Sequence, residues 1–321
     1  NVNTSIDTAI SGNGNVTATI TGDLALTSAI ALTGTNTINL TASGSITETA
    51  GTLAATNLYM TGTTGNIGSV GQRIQSSVDN LALSAAGNAY VTEANAVSIA
   101  ANVGSLDLAT TNGTLNVGAV NGITGVTATT GNVTLSGTAN SGNGIYIGNS
   151  ITASNGTVTL TGTTSSATSA NIASPDAGVK SVAAVTAKNI NMTASATAVN
   201  GGLLGYYGAG NADNFIATEQ LNLTGAAAGT GNGFYSYIGT FSAGTGISIT
   251  GTSHAGQAIG LVNGVTMTNG STGNIAITGT SDDANKQGIG LRGITLTNGG
   301  GNTVLTAVNG VIATDAGNPA W

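Results

Sequence analysis

The chain alternates. Short runs of the form apolar–x–apolar recur from end to end, each opened by Gly or Asn and closed by Thr, Ser, Gly or Ala. Examples are GNVTATITG at 14–22, GNVTLSGT at 131–138, GTVTLTGT at 156–163, GISITGT at 246–252 and GNIAITGT at 273–280. Period-two alternation over four to eight residues predicts half-buried β-strands. Thr suits the outward positions, because a branched Cβ packs well on a pleated surface. Gly and Asn tolerate the left-handed backbone of tight turns. Helix formers are scarce, so the whole chain reads as strand and turn.

The repeat has a period. One apolar anchor per unit gives Ile20, Leu40, Met60, Leu83, Ile99, Val117 and Leu135, then Leu160, Met192, Leu223, Ile249, Ile277 and Leu305. Steps are about 20 residues at first and about 25 to 32 later, the range of solenoid repeats. LVNGVTMTNG at 261–270 and LRGITLTNGG at 291–300 are near copies one period apart. The expected fold is all-β: a right-handed parallel β-helix of about 13 coils. Short coils fill 1–135 and longer coils fill 136–321, in one continuous solenoid. The longer coils place extra Gly, Ser, Asn and Ala in turns, where solenoids carry insertions.

Composition narrows the functions. Of 321 residues 51 are Gly, none is Cys and only 5% are charged, against roughly a quarter in an ordinary soluble domain. Disorder is excluded by 40% hydrophobic residues. Zinc–thiolate sites, disulfides and Cys nucleophiles are excluded by the absence of Cys. Five Lys and Arg against twelve Asp and Glu argue against nucleic acid as a partner. No apolar run approaches the roughly 18 residues of a membrane helix, and 3% aromatics cannot supply the girdles of a transmembrane barrel. The chain opens at Asn1 without Met or a signal peptide, as expected of a piece of a longer, processed, exported protein.

Residues 65–99, GNIGSVGQRIQSSVDNLALSAAGNAYVTEANAVSI, together with the GNVTLTGT-type units around them, resemble the large repeat exoproteins of the filamentous-haemagglutinin type. The resemblance covers most of the chain. It implies export by two-partner secretion, with an outer-membrane partner. It also implies a place outside the cell or on the bacterial surface, and a role in adhesion, biofilm matrix or a stalk. Partners would be host or bacterial surface glycans or proteins. The Asn-Pro-Asn motif of the family's secretion module is missing, since Asn318-Pro319 is followed by Ala320.

Candidate chemistry is sparse, and neither an enzyme nor a cofactor is expected. The single His254 falls in a turn, with no second His or Cys for a metal site. Asp282, Asp283, Lys286 and Arg292 form the one charged cluster. It is a solvated loop, a weak calcium candidate through Asp282 and Asp283, or the site of a β-helix carbohydrate-active enzyme. Arg73 and Glu93 are one coil apart and are expected to form a structural ion pair. Seven of the ten Phe and Tyr residues lie between 206 and 241. Exposed, Tyr206, Tyr207, Tyr235 and Tyr237 would stack on sugars; buried, they would fill a wider rod. Uncapped strand edges allow end-to-end or lateral self-association into a filament or surface layer. Thr157, Thr159, Thr161 and Thr163 suggest an ice-binding face, but such rows are expected to change register between coils.

Overall fold

The computed structural model describes residues 3–166, 176–197, 213–270 and 272–314, and the backbone of 203–205. Every regular element among them is a β-strand. All strand pairings but one are parallel. Each strand of the parallel pairings is hydrogen-bonded to a partner 17 to 34 residues away.

The strands fall into three series, visited in rotation. The first runs from Thr4–Ile6 through Leu24–Leu26, Ile46–Glu48, Ala89–Glu93, Leu106–Thr110 and Val133–Ala139 to Thr303–Val308. The second includes Leu115–Val117, Ile145–Ile147, Val179–Ser181, Phe234–Ser236 and Ile259–Val262. The third includes Val16–Ile20, Thr37–Ala42, Val126–Ala128, Asp213–Ala217 and Gly239–Ala243. Long strands such as Ile151–Thr164 and Ala184–Ala196 turn the corner from the third series into the first.

Inward positions of the three series form one buried core. In the third series a single column runs Ala18, Leu40, Met60, Leu83, Ala101, Val126, Ile151, Val185, Phe215, Phe241, Met267 and Leu296. Phe215 and Phe241 stack at 5.4 Å, nearly parallel, and Phe234 meets Phe241 edge-on at 6.1 Å. These rings fill the core where the coils are long.

Two residue types of the repeated unit have specific jobs. The opening Asn ties successive coils together through its side-chain oxygen. Asn15, Asn66, Asn132 and Asn274 accept the N–H of Thr37, Asn88, Thr157 and Asn302 at 2.7–2.9 Å. The Gly that follows the second apolar residue marks a seam between the first and second series. A Cβ on Gly162 would lie 2.0 Å from the Gly178 carbonyl oxygen, and one on Gly279 2.0 Å from that of Gly288. Only glycine allows this approach.

The anchors predicted from Leu135 to Leu305 stack on one another without a slip. Three earlier ones do not. Ile20 pairs with Ala42, Leu83 with Ala101 and Val117 with Ile147. For Ile20 and Leu83 the error is two residues, because apolar residues two apart on a strand are interchangeable in such a pattern. Val117 belongs to the second series, and Leu135 stacks instead on Leu108.

Steps along the first series are 17 to 22 residues up to Leu106 and 25 to 32 beyond it. The first long step contains the one antiparallel pair, Ala119–Val120 with Ile123–Thr124. Asn121 and Gly122 at its tip both have positive φ, 49° and 79°, as a two-residue hairpin turn requires. Its Val120 packs on Ala82 and Ala100, on the outer side of the third series.

Candidate functional site

Tyr235 and Tyr237 do not form an exposed platform. Tyr235 is 5% exposed and packs with Ala177 and Val262, with Tyr237 half-buried against the same group. The Tyr235 ring lies over Gly260, where an added Cβ would come within 2.7 Å of the ring. Tyr206 and Tyr207 lie outside the described residues.

Arg73 corrects an expectation. Its guanidinium meets Asp107 at 2.9 Å, not Glu93. It also donates to Thr92 Oγ1 and to the carbonyls of Val91 and Asp107. Alternation is the reason. Glu93 pairs with Ser76 and faces inward with it, whereas Arg73 precedes the inward Ile74 and points out.

Glu93 is therefore a buried carboxylate, 0% exposed. It accepts the Ser76 hydroxyl at 2.6 Å, the Val78 and Ala94 N–H groups at 3.0 Å and that of Asn95 at 3.3 Å. Burial still raises its pKa, outweighing these four donors. Glu48 is 4% exposed and takes one bond, from the Gln75 N–H; its Oε1 has no partner among the described residues. Burial lifts its pKa from 4.5 to about 7. Glu48 did not stand out in the sequence and Glu93 did so only as the expected partner of Arg73, because a lone Glu in a strand carries no signal of which way it faces.

The charged turn near 282 is solvated. Asp282 Oδ2 lies 3.0 Å from His254 Nδ1, both side chains being about two-thirds exposed. Asp283 accepts from the Asn285 N–H and side-chain amide. Lys286 and Arg292 make no ion pair with either carboxylate among the described residues. Nor does any group of three His, Cys, Asp or Glu among them gather as metal ligands.

The broadest ordered array of side chains is polar and faces outward. On the first series Thr161, Thr193, Thr224, Thr250, Thr278 and Thr306 stand in successive register. Beside them run Thr159, Asn191, Asn222 and Ser248 on one flank and Thr163, Ser195, Thr252 and Thr280 on the other. The expected change of register between coils does not occur here, because the extra residues of the long coils fall outside the segments that stack on this face, as at the shift between Ala153 and Thr157. Asn222 donates to Asn191 along this face at 2.9 Å.

No known protein family, curated protein or solved structure matches the chain.

Proposed function

We propose that the chain winds as a right-handed parallel β-helix of about 13 coils and serves as an extracellular structural or adhesive rod. It is one continuous solenoid, with shorter coils up to Leu106 and longer coils beyond it, the change falling one coil earlier than the expected boundary at 135. It would belong to a large secreted surface protein of the filamentous-haemagglutinin type, in attachment, biofilm matrix or a stalk. Export would use an outer-membrane partner. The reading assigns it no catalysis.

The observation that carries this is the first strand series, which continues from Thr4 to Val308 with every neighbour parallel. Parallel strands joined by crossovers are right-handed in nearly all proteins. Thirteen rungs at about 4.8 Å make a rod roughly 60 Å long. Such a body satisfies its backbone hydrogen bonds internally and needs no cofactor.

Small-angle scattering tests the shape: a rod about 60 Å long is expected, and a near-spherical particle overturns it. A glycan array tests the adhesive role, with Tyr206, Tyr207 and the half-buried Tyr237 changed to Ala as comparison and the buried Tyr235 kept. Specific binding lost in that variant supports an adhesive segment; no binding leaves the stalk.

A second reading, end-to-end self-association, rests on the last described strands. Val304, Val308, Val311 and Ile312 there are 42–57% exposed. Among the described residues their strands are paired only to the preceding rung. Sedimentation across a concentration series tests it.

A further inference from the structure

The geometry points to a second activity for the outer face of the first series between Val133 and Val308: it binds the surface of ice. This stands apart from the rod's place outside the cell. A rod that fails to bind ice remains a rod.

The face is a grid. Stacked strands repeat about every 4.8 Å, and alternate residues along a strand about every 6.7 Å. Six threonines occupy the central column, although the coil steps between them vary from 26 to 32 residues. No register shift interrupts this series between Val158 and Val308. Threonine is stiff at χ1, so like backbone at each rung presents hydroxyl and methyl in like fashion.

The hydroxyls are available. None of the six central threonines hydrogen-bonds through its side chain to another described residue. Each hydroxyl can donate once and accept twice.

The face also carries no charge. Its outward positions, from Thr134 to Val308, hold Thr, Ser, Asn, Ala and Val, with the uncharged Gln220 and Gly246 at one margin. The nearest charged groups flank it: Lys188 with Glu219 at the corner where Ala184–Ala196 enters the series, and Asp282 beside His254 past the other end of the strands.

These features select the ligand. It must be uncharged, flat and periodic on the scale of a β-sheet, and must both donate and accept at every lattice point. Crystalline water meets all four conditions. A dissolved sugar would touch only a few hydroxyls and has no repeat to match. A crystalline polysaccharide would want aromatic rings to stack on, and this face has none. A second copy of the chain would want apolar area, and Ala226, Ala276, Val304 and Val308 are scattered. Each hydroxyl contact is weak, but many made at once hold firmly.

The third series supplies a control. Its outward Thr152, Thr186 and Thr268 stand on narrow strands, and its column is broken by Ile216, 40% exposed.

The test is thermal hysteresis, ice shaping and inhibition of ice recrystallisation by the whole chain. It is compared with T193K/T224K/T250K, with T224K alone, and with the control T152K/T186K/T268K. Circular dichroism and Tm verify folding. The native chain and the control are expected to facet ice crystals and stop recrystallisation. The triple variant should lose at least tenfold in effective concentration, and T224K several-fold. T224K is one exposed position, so its readout stands if the triple variant does not fold. Absence of ice shaping by the native chain overturns the proposal. So does an equal loss in the control, or binding to chitin or cellulose particles without any effect on ice.

Discussion

The Ser76 hydroxyl donates to the Glu93 carboxylate at 2.6 Å across adjacent strands, where Glu93 is fully buried and Ser76 is 1% exposed. In a chain with so few charges, a carboxylate here works as a bracket: it gathers the Ser76 hydroxyl and three backbone N–H groups of two coils. Replacing Glu93 with Ala strands those donors. The expected loss is about 3 kcal/mol or more. Glu93→Gln keeps one acceptor oxygen and should cost about half as much. Urea unfolding followed by circular dichroism measures both. Equal, negligible effects would remove the bracket.

Glu48 makes stability depend on pH. Its pKa is raised from 4.5 to about 7 by burial, so the folded state holds a proton that the unfolded state releases. The contribution is fully present below pH 4.5 and is lost as pH rises through 7. Stability should fall between pH 5 and 8 by an amount on the order of 2 kcal/mol, read as a falling Tm. Glu93, also raised, adds in the same direction. Glu48→Gln should flatten its part of the slope and raise Tm at pH 8. A Tm profile unchanged by the substitution speaks against it.

Arg73 ties three coils together through Val91, Thr92 and Asp107. The ion pair is partly exposed, so its charge is worth about 1 kcal/mol or less. Asp107→Asn should therefore be mild, while Arg73→Ala, which also frees two carbonyls, should cost more, about 2 kcal/mol. A double-mutant cycle separates the terms. A coupling well above 1 kcal/mol would show the pair to be better shielded than its exposure suggests.

The seam glycines should be intolerant. Gly162→Ala sets a methyl 2.0 Å from the Gly178 carbonyl oxygen, and overpacking of this kind costs about 1–3 kcal/mol or more. Thr163→Ala, next in sequence and outward, should change stability by less than about 0.5 kcal/mol. Proteolysis in mild urea ranks the two, and equal susceptibility would contradict the seam.

Strand content, parallel pairing and the column from Leu135 to Leu305 were legible in the sequence, because GNVTLSGT-type units carry alternation, a Gly at the seam and an Asn at the turn together. Ile20 and Leu83 were misassigned, since inward residues two apart look alike until hydrogen bonds choose between them. Val117 was misassigned because each coil carries more than one apolar–x–apolar unit, and Leu135 stacks on Leu108 instead. The Arg73 pairing was hidden by the loop before Ile74, which shifts the local register relative to the coil count. The threonine grid was hidden because coil length varies while strand register does not, and only coil length can be counted in a sequence. Tyr235 was ambiguous for a different reason: nothing local records that Gly260 makes room for its ring.

The bonds that join one rung to the next lie in the strands, while the turns that lengthen the coils take little part in the ladders. A protease that cuts the turn at 140–144 would sever the chain but none of the strand ladders. The two pieces would stay zipped edge to edge along three sheets. Nicked protein should therefore elute at its native size and fall apart only in denaturant, so breakage of the polypeptide and failure of the fold are separate events.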